Sequence, residues 1–596
     1  MTVQGRRWVR ALWWLVPAIA VAFPLLRLLP LDGQFGGDWL NYKWLAAYSG
    51  EYLRAHHSVP IVVNTGTQAG MPFPVFYATL FYPLLGFFTT WIAPNLVIRL
   101  AVLGVTCLQF RLVTRALVRL EVPPWTARGV TCLVTWTIYP LTNLYTRAAV
   151  PEYVGTALLT CLLATWFLLI RTDEPAERRR LGFGVGLLFV LVAGTHPITA
   201  LYSVPILILL IVAAFSEHGR DSVFWRGLVK VLAVPVALAA VVLAPWVYVV
   251  AHYRTVLHIS ENAGPWFYAD VDRWPARFYP IPHDHRLDRF PIEQVPTPHL
   301  DAQLNVALLI LLFGWVAVLL VRNRAAGLAA LRSIVIPLIA FAFFLWISLY
   351  RSAFDILPSI ARTLQIAYRA ITYQNLALLL GVFLVAASLR RRGERISGKG
   401  PTVLLIAALA LSAVGVVIMW GHAAQNMTPD GSAVLHTTAA ERLQWAHMPP
   451  SFYPYDNYAT PPLFTAITPS EREHLTEGKI PIGDTGDDDF GIAKQLRFTA
   501  AQDGWMGTNV QAFPWNHVVL DGTIVTDDHL RVDNVRLVIW VAAGEHTLEM
   551  ETVPDPTWLV LRDISFAVLA AWLVTFAYLT YRRRTHVKGP PPTTLR

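Results

Sequence analysis

Charge is scarce in this chain. Of its 596 residues only 15% are Asp, Glu, Lys or Arg, while 55% are hydrophobic. A water-soluble chain carries about a quarter charged residues, so an ordinary soluble fold is excluded. Cysteine is nearly absent: Cys107, Cys132 and Cys161 all fall inside apolar runs, which suggests neither a disulfide framework nor a thiolate metal site. Nucleotide-binding signatures are missing as well. There is neither a P-loop nor a strand-anchored G-x-G-x-x-G, which argues against ATP-driven transport by this chain. No heptad or longer repeat stands out.

What the chain does have is long apolar runs. Stretches of about 18 residues or more read as membrane helices, and twelve are expected, at about 9–30, 96–118, 128–146, 153–171, 181–196, 198–216, 228–251, 302–321, 333–350, 371–389, 402–420 and 559–581. The first run is too long for a signal-peptide core and lacks a small-residue cleavage site, so it is expected to remain as a helix. The net charge of +9 invites a nucleic-acid partner, but the basic residues gather at the ends of apolar runs. Arg6, Arg7 and Arg10, Arg111, Arg115 and Arg119, Arg178 to Arg180, Arg220, Arg226 and Lys230, Arg322 and Arg324, Arg390 to Arg392, and Arg582 to Arg584 all fall on one side of a twelve-span topology. That is the positive-inside pattern. It predicts a multi-pass membrane protein with both termini cytoplasmic, membrane lipids around it and no nucleic acid.

Residues 73–92, "FPVFYATLFYPLLGFFTTWI", are apolar enough to span, but counting them would throw the later arginine clusters outside. Pro72, Pro74 and Pro83 interrupt helical hydrogen bonding there, and an interfacial or re-entrant segment is expected. The outer face then holds 31–95, 252–301, 351–370 and 421–558. The last piece is polar and alternates like strands in "NHVVLDGTIV" (516–525) and "RLVIWVAAGEHTLEMETV" (536–553), with Asp521-Gly522 as a hairpin turn. The expected fold is thus an α-helical polytopic membrane domain over 1–420, a small extracytoplasmic β-rich domain over 421–558, a final span at 559–581 and a cytoplasmic tail at 582–596.

Titratable side chains sit in the outer loops and at span ends. Asp38, in "GGDWLNYKWL", follows the first span; it can be a general base at the water boundary or simply the N-cap of the amphipathic stretch behind it. Arg147 and Glu152, in "NLYTRAAVPEY", are held at the membrane surface by a very short loop. Arg147 can fork onto a phosphate, pair with Glu152, or snorkel. His196, in "GTHPITAL", reads as a ligand or as a hydrogen-bonded structural residue. Gln365 and Arg369 lie four apart on one helix face, and Arg369 is a second phosphate clamp or an interface anchor. His283, Asp284 and His285 carry metal-ligand side chains in a proline-rich loop, a weak pattern. The acidic "GDTGDDDFG" (483–491) lacks calcium-loop spacing. No metal or cofactor is assigned, and a divalent cation stays open.

At these residues the chain resembles the polytopic GT-C class of lipid-sugar glycosyltransferases and, more narrowly, the bacterial YfhO-like proteins, some labelled membrane 6-pyruvoyl-tetrahydropterin synthase-related. The points of likeness run in order through "GDWLNYKWL", "GMPFPVFYATLFYPL", "LYTRAAVPEYVGTALL", "GTHPITALY", "LQIAYRAITY" and "GWMGTNVQAFPWNHVVLDG", then "VRLVIWVAAGEHTLEM". The resemblance implies inverting transfer of a sugar from a polyprenyl-phosphate donor to an envelope glycan or lipid acceptor on the outer face. It makes Asp38 the catalytic carboxylate and Arg147 and Arg369 the donor-phosphate clamps, with Glu152, His196, Gln365, Tyr42 and Tyr82 in supporting, acceptor or metal roles. The family often has a His near the opening motif and "QFPWR" where this chain has "QIAYR". Those departures leave the acceptor contacts and the role of Arg369 open. A flippase for lipid-linked sugars and a non-catalytic polymer-assembly protein are the rival readings; membership of a fold does not settle activity.

Overall fold

The computed structural model describes residues 15–36, 38–64, 69–253, 278, 303–350, 352–353, 356–358, 367–429, 465–478, 494–533 and 536–586. From Trp39 onward its longer helices are α1 (Trp39–His56), α2 (Phe81–Thr89), α3 (Pro94–Arg119), α4 (Pro124–Thr135), α5 (Ile138–Tyr145), α6 (Val150–Ile170) and α7 (Pro175–Thr195). They continue as α8 (Pro197–His218), α9 (Ser222–Tyr253), α10 (Val306–Arg322), α11 (Arg324–Leu349), α12 (Ile371–Arg391), α13 (Lys399–Asn426) and α14 (Pro556–His586). Proline in the first turn opens α3, α4, α6, α7 and α8, where its missing N–H costs nothing. Basic residues in the last turn close α3, α8, α10 and α12, where they meet the negative end of the helix dipole.

The chain is an α-helical polytopic membrane protein with a small β-rich part before its last helix. Among the described residues eight helices are long and apolar enough to cross a bilayer: α3, α8, α9, α11, α13, and the stretches Val150–Leu169, Tyr368–Arg391 and Pro556–Tyr581. Helix α10 is apolar but shorter. Three of the twelve expected spans differ in form. The first is described only from residue 15, as a helix over 15–22 and a 3-10 turn at Leu26–Leu28. The second, 181–196, is the apolar part of α7, whose first turns carry three arginines.

The third, 128–146, is not one helix but two, α4 and α5, broken at Trp136 and Thr137. Pro140 explains the break: it has no N–H for the carbonyl four residues back, and its ring would strike that carbonyl. The Leu133 carbonyl, freed by the break, accepts instead from the Thr137 hydroxyl at 3.1 Å and from Asn305 Nδ2 at 2.7 Å. A side chain from another helix thus satisfies the backbone inside the bundle, as a membrane interior demands.

Residues 73–92 form a four-residue helix, Phe73–Phe76, and then α2, with Ala78 at φ +52° between them. Neither helix is long enough to cross. Helix α2 lies against α1 at a glycine crossing: a Cβ on Gly50 would stand 2.8 Å from the Gly86 carbonyl, and one on Gly86 only 2.9 Å from the Gly50 nitrogen. The segment is pinned at its start to the end of α7 by Leu80 N–H donating to the Gly194 carbonyl at 2.9 Å.

Strands β1 (Gly33–Phe35) and β2 (Met427–Pro429) pair antiparallel, joining the first loop to the end of α13. The remaining strands are β3 (Thr476–Glu477), β4 (Lys494–Ala500), β5 (Gly504–Gln511), β6 (Asn516–Leu520), β7 (Thr523–Ile524), β8 (Leu530–Asp533), β9 (Arg536–Val541) and β10 (Gly544–Thr552). They form two four-stranded sheets, ordered β4-β10-β6-β7 and β3-β5-β9-β8, around Val510, Leu537, Ile539, Leu548 and Met550. The Asp521-Gly522 turn joins β6 to β7 with φ of +51° and +78°, the two positive values that a two-residue hairpin of this twist requires. The sandwich is fixed to the membrane part through Ala69, whose N–H and carbonyl bond Asn509 and Gln511, and through Phe513 and Trp515 packed on Phe76, Val249 and Trp558.

Candidate functional site

Asp38 is placed by a polar knot buried at the start of α3. Asn95 and Arg99 lie one turn apart on that helix. Asn95 Nδ2 donates to the carbonyls of Leu31 and Gly33 at 3.1 and 3.2 Å, while its Oδ1 accepts from the Trp39 indole at 3.0 Å. Arg99 donates to the carbonyls of Leu28 and Gly33. These bonds satisfy the backbone of the loop and fix the first residue of α1, with the Trp39 ring fully buried. Asp38 N–H then donates to the Arg147 carbonyl at 3.2 Å, which ties the two candidate residues together through the main chain.

The Asp38 side chain does not cap α1. It occupies the N-cap position without a capping hydrogen bond, so its carboxylate is not consumed by the ordinary structural role of an aspartate there. Its oxygens accept from the Tyr42 hydroxyl at 3.3 Å and from Asn41 Nδ2 at 3.5 Å. Removal from water pushes the carboxyl above its usual range, and this outweighs the opposing pull of Arg147, Tyr42, Arg369 and Asn41.

The turn between α5 and α6 holds Arg147. Arg147 N–H bonds the Thr142 carbonyl, and Ala148, at φ +53°, lets the chain reverse into α6 within a few residues. Glu152, in the first turn of α6, is the hub of the cluster. Its Oε2 lies 3.0 Å from Arg147 Nη1 and 3.2 Å from Arg369 Nε. Its Oε1 accepts from the Tyr139 hydroxyl at 2.9 Å and from Asn143 Nδ2 at 3.0 Å. Asn143 Oδ1 in turn accepts from Arg147 Nη1 at 2.6 Å, and the Arg147 guanidinium lies over the Tyr368 ring, 5.4 Å from its centroid. Nε and Nη2 of Arg147 make no hydrogen bond among the described residues. A guanidinium has five donors in a planar fork, so Arg147 keeps two nitrogens for an incoming anion.

Of the sequence-derived candidates, the structure brings Asp38, Arg147, Glu152 and Arg369 to one end of the bundle. His196 stands at the N-terminus of α8 in the same field, but its Nδ1 accepts the Thr199 N–H at 3.1 Å and so caps that helix. Tyr42 bonds Asp38, and Tyr82 stacks on Tyr42 with ring centroids 6.2 Å apart. Gln365, the His283–His285 pattern and 483–491 lie outside the described residues. Among the described residues no group of three or more His, Cys, Asp or Glu side chains could hold a metal ion. Beyond Tyr82 a small cavity of about 50 Å³ opens between α1, α2, α9 and α14, with Pro83, Trp246 and Trp558 on its walls.

Sequence reasoning missed Tyr139, Asn143, Asn95 and Arg99. A signal existed for each. Tyr139, Asn143 and Arg147 recur every four residues, so they share one face; Arg99 is a charge inside an apolar helix, which in a membrane marks a paired group.

No family model matches the chain, and no curated protein matches it. Among solved structures it is similar to the arabinofuranosyltransferase AftD from Mycobacteria, at 12% identity and a TM-score of 0.41, over 70% of this chain. The chain spans 27% of the length of that protein. It is also similar to ArnT from Cupriavidus metallidurans in the apo state, at 14% identity and a TM-score of 0.29, over 68% of this chain and 78% of that one.

Proposed function

We propose that the chain is a membrane glycosyltransferase of the GT-C type, akin to the YfhO-like proteins. It moves a sugar from a polyprenyl-phosphate donor to an envelope glycan or lipid acceptor at the outer face of the cytoplasmic membrane. One observation carries the reading: a half-buried carboxylate that caps nothing stands beside two guanidiniums gathered on a single glutamate.

The donor is a phosphodiester at headgroup level with its tail in lipid, and the free nitrogens of Arg147 suit its phosphate, bonding it more strongly in a poorly hydrated site than in water. Glu152 is the counter-ion that keeps two like charges side by side before the donor arrives. Asp38 takes the proton from the acceptor hydroxyl as that oxygen bonds to the anomeric carbon. The bond from that carbon to the phosphate oxygen breaks, and its electron pair leaves on the phosphate, held by Arg147 and Arg369. Phosphate leaves without a general acid, so one carboxylate suffices and the anomeric centre inverts; the paired acid and base of glycoside hydrolases are not needed. Residues 73–92 floor the pocket, and 421–558 orients the acceptor.

The test is mass spectrometry of envelope glycans from a deletion strain beside one carrying only Asp38→Asn. The variant is expected at normal abundance, with transfer reduced by about 10²–10⁴, the usual worth of a positioned base. Glycans identical to wild type in that strain would sink the enzyme reading and return the flippase and assembly alternatives.

A further inference from the structure

The helices that feed the site also run away from it. Helix α8 begins beside His196 and ends at His218; α12 begins beside Arg369 and ends at Arg391. At about 1.5 Å per residue each covers roughly 30 Å, the depth of a bilayer's hydrocarbon core. Their far ends therefore lie at the opposite membrane face. There α8, α11 and α12 do not close on one another. A groove of about 470 Å³ lies between them, with Leu209, Val212, Ile336 and Leu384 on its apolar walls and Arg332, Arg391 and Arg392 on its polar lining.

Several arginines at this face are matched by carboxylates. Arg390 and Arg395 pair with Glu121 at 3.1 and 3.9 Å, and Arg115 and Arg180 share Glu177 at 2.7 and 2.9 Å. Arg171 pairs with Glu217. The groove gathers arginines that are not so matched. Arg391 reaches Glu217 only at 4.0 Å and the Ser216 carbonyl at 3.5 Å, and that glutamate already serves Arg171. The guanidiniums of Arg332 and Arg392 have no ion pair or hydrogen bond among the described residues, and both side chains are exposed. Three cations and one shared anion at the mouth of an apolar slot make a surface complementary to a molecule with an anionic head and a hydrocarbon chain.

We infer that this groove binds an anionic glycerophospholipid of the leaflet opposite the Asp38 site. Its phosphate meets Arg332, Arg392 and Arg391, and an acyl chain lies between α8, α11 and α12. Basic pockets between membrane helices hold acidic lipid headgroups by this combination of charge and apolar wall. A carrier-lipid phosphate has the same head chemistry. The arginines of the groove, however, lie a full membrane thickness from Asp38, and α12 from Ile371 to Leu380 is buried in packing except at Asn375, so a donor headgroup lodged there has no path to the reaction. The occupant is accordingly a bound lipid and not a substrate.

Native mass spectrometry of the full-length protein in detergent tests this, with phosphatidylglycerol, phosphatidylcholine and a polyprenyl phosphate titrated separately. Phosphatidylglycerol is expected to bind at one saturable site at least ten-fold more tightly than phosphatidylcholine. Arg332→Gln with Arg392→Gln should weaken it about thirty-fold, because each arginine near an acidic lipid surface is worth about five-fold. Val212→Trp, which fills the apolar part and leaves every arginine in place, should abolish the site, and the lipid-free melting midpoint of these variants should stay that of wild type. Equal affinity for the two phospholipids, or full affinity in the double variant, overturns the inference. Tighter, Arg332-dependent binding of the polyprenyl phosphate overturns the choice of occupant.

Discussion

Helices α6 and α14 are similarly apolar runs, yet they live in different surroundings. All of the apolar stretch of α6 is buried inside the protein, against only 17% of that of α14. Hydroxyls do not separate them: Thr160 and Thr165 on α6 bond back to carbonyls of their own helix, and so do Thr575 and Thr580 on α14. The difference lies in what each helix carries at its end. Helix α6 brings Glu152 to the cluster and is enclosed by its neighbours, whereas α14 closes the outside of the bundle against α9. Hydropathy reports that a segment leaves water; it does not report whether lipid or protein receives it.

The sharpest way to break this contrast is at the head of α6. Glu152→Gln leaves Arg147 and Arg369 buried without their common anion, and removing one partner of a buried ion pair costs about 3–5 kcal/mol. The expected outcome is a large drop in melting midpoint in detergent together with loss of transfer; a midpoint equal to wild type would show that the cluster is not held by this carboxylate. Further along α6, Leu163→Ala opens a cavity at a side chain with no exposure. In lipid the transfer part of the penalty vanishes and the packing part remains, so the loss should fall at the lower end of about 2–5 kcal/mol.

A smaller effect is expected in the pH dependence. Asp38 must be ionised to accept a proton, and its carboxyl is raised above the ordinary range. Transfer is therefore full above that raised value and lost as pH falls through it, on an acid limb lying above that of an unperturbed carboxylate. Arg147 pulls the carboxyl down, so Arg147→Gln should move the residual activity's acid limb to higher pH and weaken donor binding. A limb that stays put would separate the two side chains electrostatically. The smallest effect is expected at Val574→Ala on α14, whose side chain is 69% exposed and already faces lipid. Stability should change by less than about 0.5 kcal/mol. A loss as large as that of Leu163→Ala would mean that this face packs on protein.

Much of this architecture could be read from the chain. Span positions follow from the apolar runs and the arginine clusters at one set of their ends, and the β6–β7 hairpin follows from Asp521-Gly522. The proximity of Arg147 to Glu152 follows from a loop too short to separate them. The break between α4 and α5 was harder, because Pro140 lies in a run apolar enough to be one span, and the Leu133 carbonyl left free at the break is satisfied by Asn305 from far along the chain. Asp38 could be named but not distinguished from an ordinary helix cap. That choice depends on where its side chain points, and the Asn95–Arg99 knot that orients α1 is long-range.

The sequence by itself determined that the chain enters a membrane many times, roughly where each segment turns, and which few side chains carry charge near those turns. Those are local properties of hydropathy, backbone chemistry and charge. Only the tertiary structure decided that Glu152 would gather both guanidiniums, that α6 would be enclosed while α14 faced outward, and that Arg332 and Arg392 would share a slot without an anion. Each of these depends on segments far apart in the chain coming together, and the energy of a buried charge depends on which partner the fold sets beside it.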